Sequence, residues 1–344
     1  MLPGFRFRKD AVAGHKSQRG SLAVNLALAA GALLFALVAA EGVCQGIARL
    51  VIFPGFARDM ARANFFLTPS DDPLLGYEMK AGFALESDGK WLRINRHGLR
   101  ADSDDLFEGR TKIALLGDSV TMGAGHSQER TIEALLEARL RAAGSDAVVL
   151  NFGVPGYATR ELLEFLKRKN QIYHASQVVY LLNPNDFARR DSVTEGGDNG
   201  LYRMYARPAW QTPWFLRKAV YRLHKAPLVD WYRWMFAANE TAGEQDIRAM
   251  AAASAAQGAV FSVVLLPSGA AYGPGGYGLA DMYGRLADFL REEGIPVLSP
   301  IGEFGSDPGS YFDASDHLWD AGNERMAELI QGFLSESGAR TSSG

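Results

Sequence analysis

The chain has 344 residues, 47% of them apolar and 22% charged, with a formal net charge of −3. A large core can be buried, and the near balance of charge gives no electrostatic reason to expect a nucleic-acid partner. Cys44 is the only cysteine, so neither an internal disulfide nor a cysteine-based metal site can form.

The N-terminus carries the first element. Residues 22–40 read LAVNLALAAGALLFALVAA, 19 residues with no charge and one polar side chain, Asn25. A helix of this length, at about 1.5 Å per residue, matches a hydrocarbon layer of about 30 Å. Arg6, Arg8, Lys9, Lys16 and Arg19 precede it against one acid, Asp10. The positive-inside rule then makes residues 1–20 a cytoplasmic tail and 21–41 a transmembrane anchor in the plasma (inner) membrane. A cleavable signal peptide is the rival, with Val38-Ala39-Ala40 as its cleavage site, but the run exceeds the usual apolar region of about 7–15 residues. Both readings put the remainder in the periplasm or outside the cell. Cys44 lacks a lipobox-like leucine and reads as a plain membrane-proximal thiol.

Residues 42–108 read as a stalk and a small β element, with Asp88-Gly89 as a hairpin signal between short alternating runs. From Lys112 strands and helices alternate. KIALLG (112–117), AVVLN (147–151), QVVYLLN (177–183), AVFSVVLLP (259–267) and IPVLS (295–299) are the strand signals. Between them lie amphipathic patterns, with Ile132, Leu135, Leu136 and Leu140 in the first and Leu162, Leu163 and Leu166 in the second. Leu279, Met282, Tyr283, Leu286, Phe289 and Leu290 mark a third, and a last helix runs from about Ala321 to Leu334. The alternation predicts parallel βαβ units, so the fold class is α/β: a three-layer α/β/α sandwich with a mainly parallel five-stranded sheet, spanning residues 109–338. Residues 190–250 read as an insertion holding Trp210, Trp214, Trp231 and Trp234. It suits either a helical cap with its own small core or a membrane-interface or acyl-binding surface. Residues 339–344 read as a disordered tail.

In an open parallel sheet, ligands sit beyond the carboxyl ends of the strands. The first strand delivers Gly117-Asp118-Ser119 there, and the second delivers Asn151 to Gly156. The third delivers Asn183-Pro184-Asn185-Asp186, and before the last helix come Asp313-Ala314-Ser315-Asp316-His317. A serine needs a base to become a nucleophile, and His317 is the natural one, with a carboxylate to fix its tautomer. The backbone N–H groups of Ser119 and Gly153 and the Asn185 amide are candidate donors to a tetrahedral oxyanion. Asp118 reads as holding the turn. The stretch lacks the lysine of a phosphate-binding loop, the glycine spacing of a dinucleotide fingerprint and the G-x-S-x-G of a nucleophile elbow. Taken alone, Ser119 also suits a helix N-cap. His15, His97, His174 and His224 read as surface or loop residues, and His126, just after the serine turn, as a helix-start or surface residue. No histidine–carboxylate cluster has metal-ligand spacing.

Together the four segments resemble the SGNH, or GDSL-like, hydrolases over about residues 110–338. The resemblance implies a flavodoxin-like sandwich and acyl transfer without a metal or other cofactor. It implies Ser119 as nucleophile, Gly153 and Asn185 as oxyanion donors beside the Ser119 N–H, and His317 as base. Two positions depart from the pattern. Asn183 stands where a glycine is usual, and Ala314 stands where the aspartate three residues before the histidine is usual. Asp313, reached through a one-residue bulge, is preferred over Asp316, whose side chain points away from its neighbour's ring in extended chain. A Ser–His dyad without an aspartate is the third option. The expected function is that of a membrane-anchored serine esterase or acyltransferase acting on an acyl ester, with acylated envelope polysaccharide as substrate by analogy with anchored relatives. Envelope or polysaccharide-pathway proteins are the partners this placement implies. A lipid esterase or thioesterase and an inactive glycan-binding scaffold are the alternatives.

Overall fold

The computed structural model describes residues 14–47, 66–87, 90–189, 227–313 and 317–341, together with residues 50, 210, 212, 213 and 216. Its first element is helix α1 (Gly14–Ile47). Within it, Leu22–Ile47 is long and apolar enough to cross a membrane, and none of its most apolar stretch is covered by the rest of the chain. A signal sequence has the same properties.

Two antiparallel hairpins follow. Strand β1 (Leu67–Pro69) pairs with β2 (Tyr77–Met79). Strand β3 (Ala84–Ser87) pairs with β4 (Lys90–Arg93), with Ser87 opposite Lys90, so the two-residue link falls where Asp88-Gly89 predicts it. This region is more than a stalk. Leu75, Tyr77, Met79, Ile94 and Leu99 are buried in the same core as the central sheet. Tyr77 Oη donates to the Pro155 carbonyl at 2.5 Å, and Tyr157 Oη donates back to the Tyr77 carbonyl.

The central sheet has five parallel strands: β5 (Lys112–Gly117), β6 (Val148–Gly153), β7 (Gln177–Leu182), β8 (Val260–Leu265) and, after two short strands β9 (Tyr272–Gly273) and β10 (Gly276–Tyr277), the two-residue β11 (Val297–Leu298). The order across the sheet is β11-β8-β7-β5-β6. The strands read as apolar runs because both faces are covered. Alternate residues then enter opposite cores. Ala114, Leu116, Leu150, Phe152, Tyr180 and Val263 point to one core, and Ile113, Leu115, Val149, Val179 and Val264 to the other. The first core is closed by helices α4 (Thr159–Tyr173), α5 (Leu228–Ala256) and α6 (Ala280–Glu292). The second is closed by α3 (Ile132–Ala142) and α8 (Asp320–Thr341). Two four-residue helices, α2 (Ser119–Met122) and α7 (Ile301–Phe304), lie at the strand ends and loops among the described residues.

One boundary differs from the sequence reading. Residues 228–250, assigned there to the insertion, belong to α5, the crossover between β7 and β8. Tyr232, Met235, Phe236, Ile247 and Met250 sit in the main core, so this stretch is a layer of the sandwich and not a separate cap. Trp231 packs against that core, and Trp214 lies outside the described residues.

Candidate active site

The strand order reverses at β5, which has β6 on one side and β7 on the other. That is the switch point at which a parallel sheet opens a crevice beyond its strand ends. Gly117, the last residue of β5, lies opposite Gly153, the last of β6. Both lack a side chain for the same reason: α2 lies across these two strand ends. A Cβ on Gly117 would meet Thr121 Oγ1 at 2.1 Å, and one on Gly153 would meet the Met122 backbone nitrogen at 2.2 Å. Asn151 fastens the crossing, its Nδ2 donating to the Thr121 carbonyl at 3.1 Å.

Ser119 is the first residue of α2, and the cap is Asp118, whose Oδ1 accepts the Val120 N–H at 2.9 Å. The serine side chain is thus released from capping. Its Oγ stands 3.0 Å from His317 Nε2. The structure therefore joins two of the predicted site residues in one hydrogen bond.

Asp118 is fully buried and organises the third segment. Its Oδ2 accepts Asn185 Nδ2 at 3.1 Å and Asn183 Nδ2 at 3.3 Å. The asparagine that stands where a glycine is usual is thus a second clasp on the same carboxylate. Asn185 uses one amide hydrogen on Asp118 and has a second to offer. Beneath it, Asp186 accepts the Asn183 N–H at 2.9 Å and the Tyr180 hydroxyl at 2.8 Å. Burial, then the negative charge of Asp118, holds the Asp186 carboxyl well above the ordinary carboxylate range.

The expectation for Gly153 is corrected. It is the end of a buried strand, and its N–H donates to Asn151 Oδ1 at 3.0 Å, so that donor is committed inside the fold. The sequence reading ended the strand at Asn151, two residues early, and so placed Gly153 in the turn. The partly exposed glycine of this segment is Gly156, with φ +74°.

His317 arrives on a short hairpin in which Phe312 lies opposite Leu318. Asp313 closes it twice: its N–H donates to the His317 carbonyl at 2.8 Å, and its Oδ1 accepts the His317 backbone N–H at 2.9 Å. The Asp313 carboxylate thus holds the main chain of the histidine. Asp316, the other candidate, lies outside the described residues.

Sequence reasoning missed Arg100. It is almost fully buried, and its guanidinium reaches the Met122, Gly123 and His126 carbonyls around the end of α2. Burial brings that guanidinium down to about 10, against the opposing pull of Glu133, Asp102 and Glu129. Nothing in NRHGLRADS, read as part of a small β element, signals a buried arginine. Among the described residues, no group of three or more His, Cys, Asp or Glu side chains is placed to hold a metal ion.

Residues 115–325, well over half of the chain, match the GDSL-like lipase/acylhydrolase family. The chain belongs to that family. This GDSL-like chain also resembles several solved structures. The one titled TesA is 20% identical, covering 65% of this chain and 98% of its own, with a TM-score of 0.44. The esterase EstA from Pseudoalteromonas sp. is 14% identical, covering 66% and 97%, with a TM-score of 0.43. The lipase/acylhydrolase from Enterococcus faecalis is 16% identical, covering 66% and 96%, with a TM-score of 0.43. No curated protein matches the chain. Membership rests on the family match.

Proposed function

We propose that this GDSL-like chain is a serine esterase or O-acyltransferase tethered to the cell membrane by α1, acting on acyl esters of an envelope polysaccharide. The observation that carries the chemistry is the 3.0 Å contact between Ser119 Oγ and His317 Nε2 at the switch point of the sheet. His317 Nε2 takes the hydroxyl proton as Ser119 Oγ attacks the ester carbonyl. The oxyanion is met by the Ser119 N–H and the Asn185 amide. The leaving alcohol takes the proton from His317 and departs, and the acyl group stays on Ser119. A water or a sugar hydroxyl then gives its proton to His317, attacks the acyl carbonyl and releases Ser119. Asp313 keeps His317 in place by holding its main chain.

A sugar ester is favoured by Trp319. Residues 317–319 run extended, so His317 and Trp319 share a face while Leu318 is buried behind them. Trp319 is 50% exposed and its backbone N–H is held by the Tyr311 carbonyl at 2.7 Å. An exposed aromatic side chain two residues from His317, on a backbone held in place, suits the C–H face of a sugar ring better than an acyl chain. The basic flank before α1 supports the outward placement.

A second reading, a lipid esterase or thioesterase, draws on another surface. Glu41 near the end of α1 accepts the Thr212 N–H at 2.8 Å, and Trp210 and Leu216 are exposed. Apolar residues beside a membrane helix suit a lipid substrate. The experiment is labelling by a fluorophosphonate, then an acyl-donor screen with and without a sugar acceptor. Labelling that disappears in Ser119→Ala, with preference for acetylated saccharides, is the expected result. Activity that rises with acyl chain length favours the second reading, and absence of labelling in folded protein overturns both.

A further inference from the structure

The loop that leaves α2 is fastened at its base. Arg100 donates to the Met122 carbonyl at 3.0 Å, to the Gly123 carbonyl at 2.6 Å, to the His126 carbonyl at 2.7 Å and to Gln128 Oε1 at 2.9 Å. Gly123 takes φ +80° there, and a Cβ on it would meet Thr131 Cγ2 at 2.6 Å. The backbone of His126 is thereby held to the same arginine that holds the end of the serine helix.

The His126 ring points the other way, across to the histidine hairpin. Its Nε2 lies 2.8 Å from the Leu318 carbonyl oxygen, and its Nδ1 lies 2.7 Å from Asp320 Oδ1. Leu318 follows His317 in the chain, and Asp320 opens α8. The bonds of Asp313, and that of Trp319 to Tyr311, close the hairpin on itself. The two bonds of His126 tie it to the serine side. A carbonyl oxygen only accepts, so Nε2 is the donor to Leu318.

We infer that His126 is a positioning residue: by gripping the peptide next to His317, it sets the distance between His317 Nε2 and Ser119 Oγ. The inference rests on Ser119 and His317 being the reacting pair, as proposed above. A displacement of about 1 Å between reacting groups costs on the order of 100-fold in rate. Arg100 lies before the family-matched residues, so the grip begins in the N-terminal β region and ends at the C-terminal hairpin.

The choice of substitution follows from ring geometry. The amide nitrogen of a glutamine reaches about as far as Nε2, whereas that of an asparagine reaches only as far as Nδ1. His126→Gln therefore keeps the donor to Leu318, and His126→Asn loses it. The test uses the full chain in detergent, with p-nitrophenyl acetate turnover, the fluorophosphonate labelling rate and a thermal melt for each variant. His126→Asn and His126→Ala are expected to lower kcat and the labelling rate by about 30–100-fold with KM within about twofold, while His126→Gln stays within about threefold of wild type. If His126→Ala does not melt cooperatively, the Gln and Asn pair carries the comparison. Equal rates for that pair, or a change confined to KM, overturn the inference. Labelling that persists in Ser119→Ala overturns the underlying reading instead. Labelling lost in Ser119→Ala but at the wild-type rate in every His126 variant overturns the positioning role alone.

Discussion

Asp118→Asn is the most informative single change, because one carboxylate holds three parts of the site. The substitution is nearly isosteric. Its remaining oxygen can still cap α2 through the Val120 N–H. The new amide nitrogen, however, faces Asn183 Nδ2, 3.3 Å from the present oxygen, and Asn185 Nδ2, 3.1 Å from it. Donor then meets donor at a position with no exposure to water. Two hydrogen bonds to a charged acceptor are lost, at about 1.5–3 kcal/mol each, or about 3–6 kcal/mol together. That is a large part of a typical stability of about 5–15 kcal/mol. At about 2–4 °C per kcal/mol for a domain of this size, the melting temperature should fall by about 6–24 °C. Asn185 also loses its anchor, so kcat should fall, by at most about 100–1,000-fold, the cost of losing an oxyanion donor. Circular dichroism melts at neutral pH and p-nitrophenyl acetate turnover measure the two effects. A melt within about 2 °C of wild type, with unchanged kcat, would refute the claim that Asp118 is the hub of the site.

Asp186 predicts a pH dependence. Its raised carboxyl keeps a proton in the folded state that the unfolded chain gives up. Its contribution to stability is therefore complete below the ordinary carboxylate range and falls as pH rises toward the folded value. Asp186→Asn retains an acceptor for Tyr180 and Asn183 without titrating, so its stability relative to wild type in urea should be greater at pH about 8 than at about 4; a gap that does not change with pH would count against the buried protonated acid. Trp319→Ala should raise KM for an acetylated oligosaccharide by about 2–10-fold, the worth of one aromatic contact, and by less for p-nitrophenyl acetate. Equal effects on both would remove Trp319 from the sugar site. Deleting residues 1–108 takes Leu75, Tyr77, Met79, Ile94 and Leu99 out of the core, at about 1.5–3 kcal/mol each, so the remainder should not fold. Deleting only residues 1–65 should leave a cooperative melt, and an active protein beginning at residue 109 would contradict this.

The serine end of the site was legible because strand and turn chemistry are local. KIALLG followed by Asp118 and Ser119 reads as a buried strand ending at a capped turn, and the structure has both. Gly153 was misplaced because a strand boundary depends on its neighbour. Only the pairing of Gly117 with Gly153 shows that β6 continues past Asn151. Asn151 itself reads as the end of a strand, yet it is a staple under α2, which no period in the sequence announces. Residues 228–250 look like an insertion because their aromatic residues crowd the start of a long helix. Burial on the sheet, a tertiary fact, identifies them as a crossover. Arg100 and His126 were unreadable for a similar reason. A buried arginine and a bridging histidine are defined by carbonyls far along the chain, which carry no side-chain signature.

The sequence separation of 198 between Ser119 and His317 also bears on when activity arises. The strands that present Ser119 and the asparagines are consecutive in the chain and pair as neighbours, so this half of the site can assemble early. His317 must wait for the last part of the chain. Its hairpin leads directly into α8, which docks on the α3 side through Asn323 to the Arg130 carbonyl and Arg139 to Gln331. Closing so long a loop is entropically costly and is offset only when that docking is complete. On the proposed mechanism, a chain still being synthesised has its serine but not yet the base that would activate it. Loss of the C-terminal helix by proteolysis should therefore silence the site while leaving Ser119 and its sheet in place.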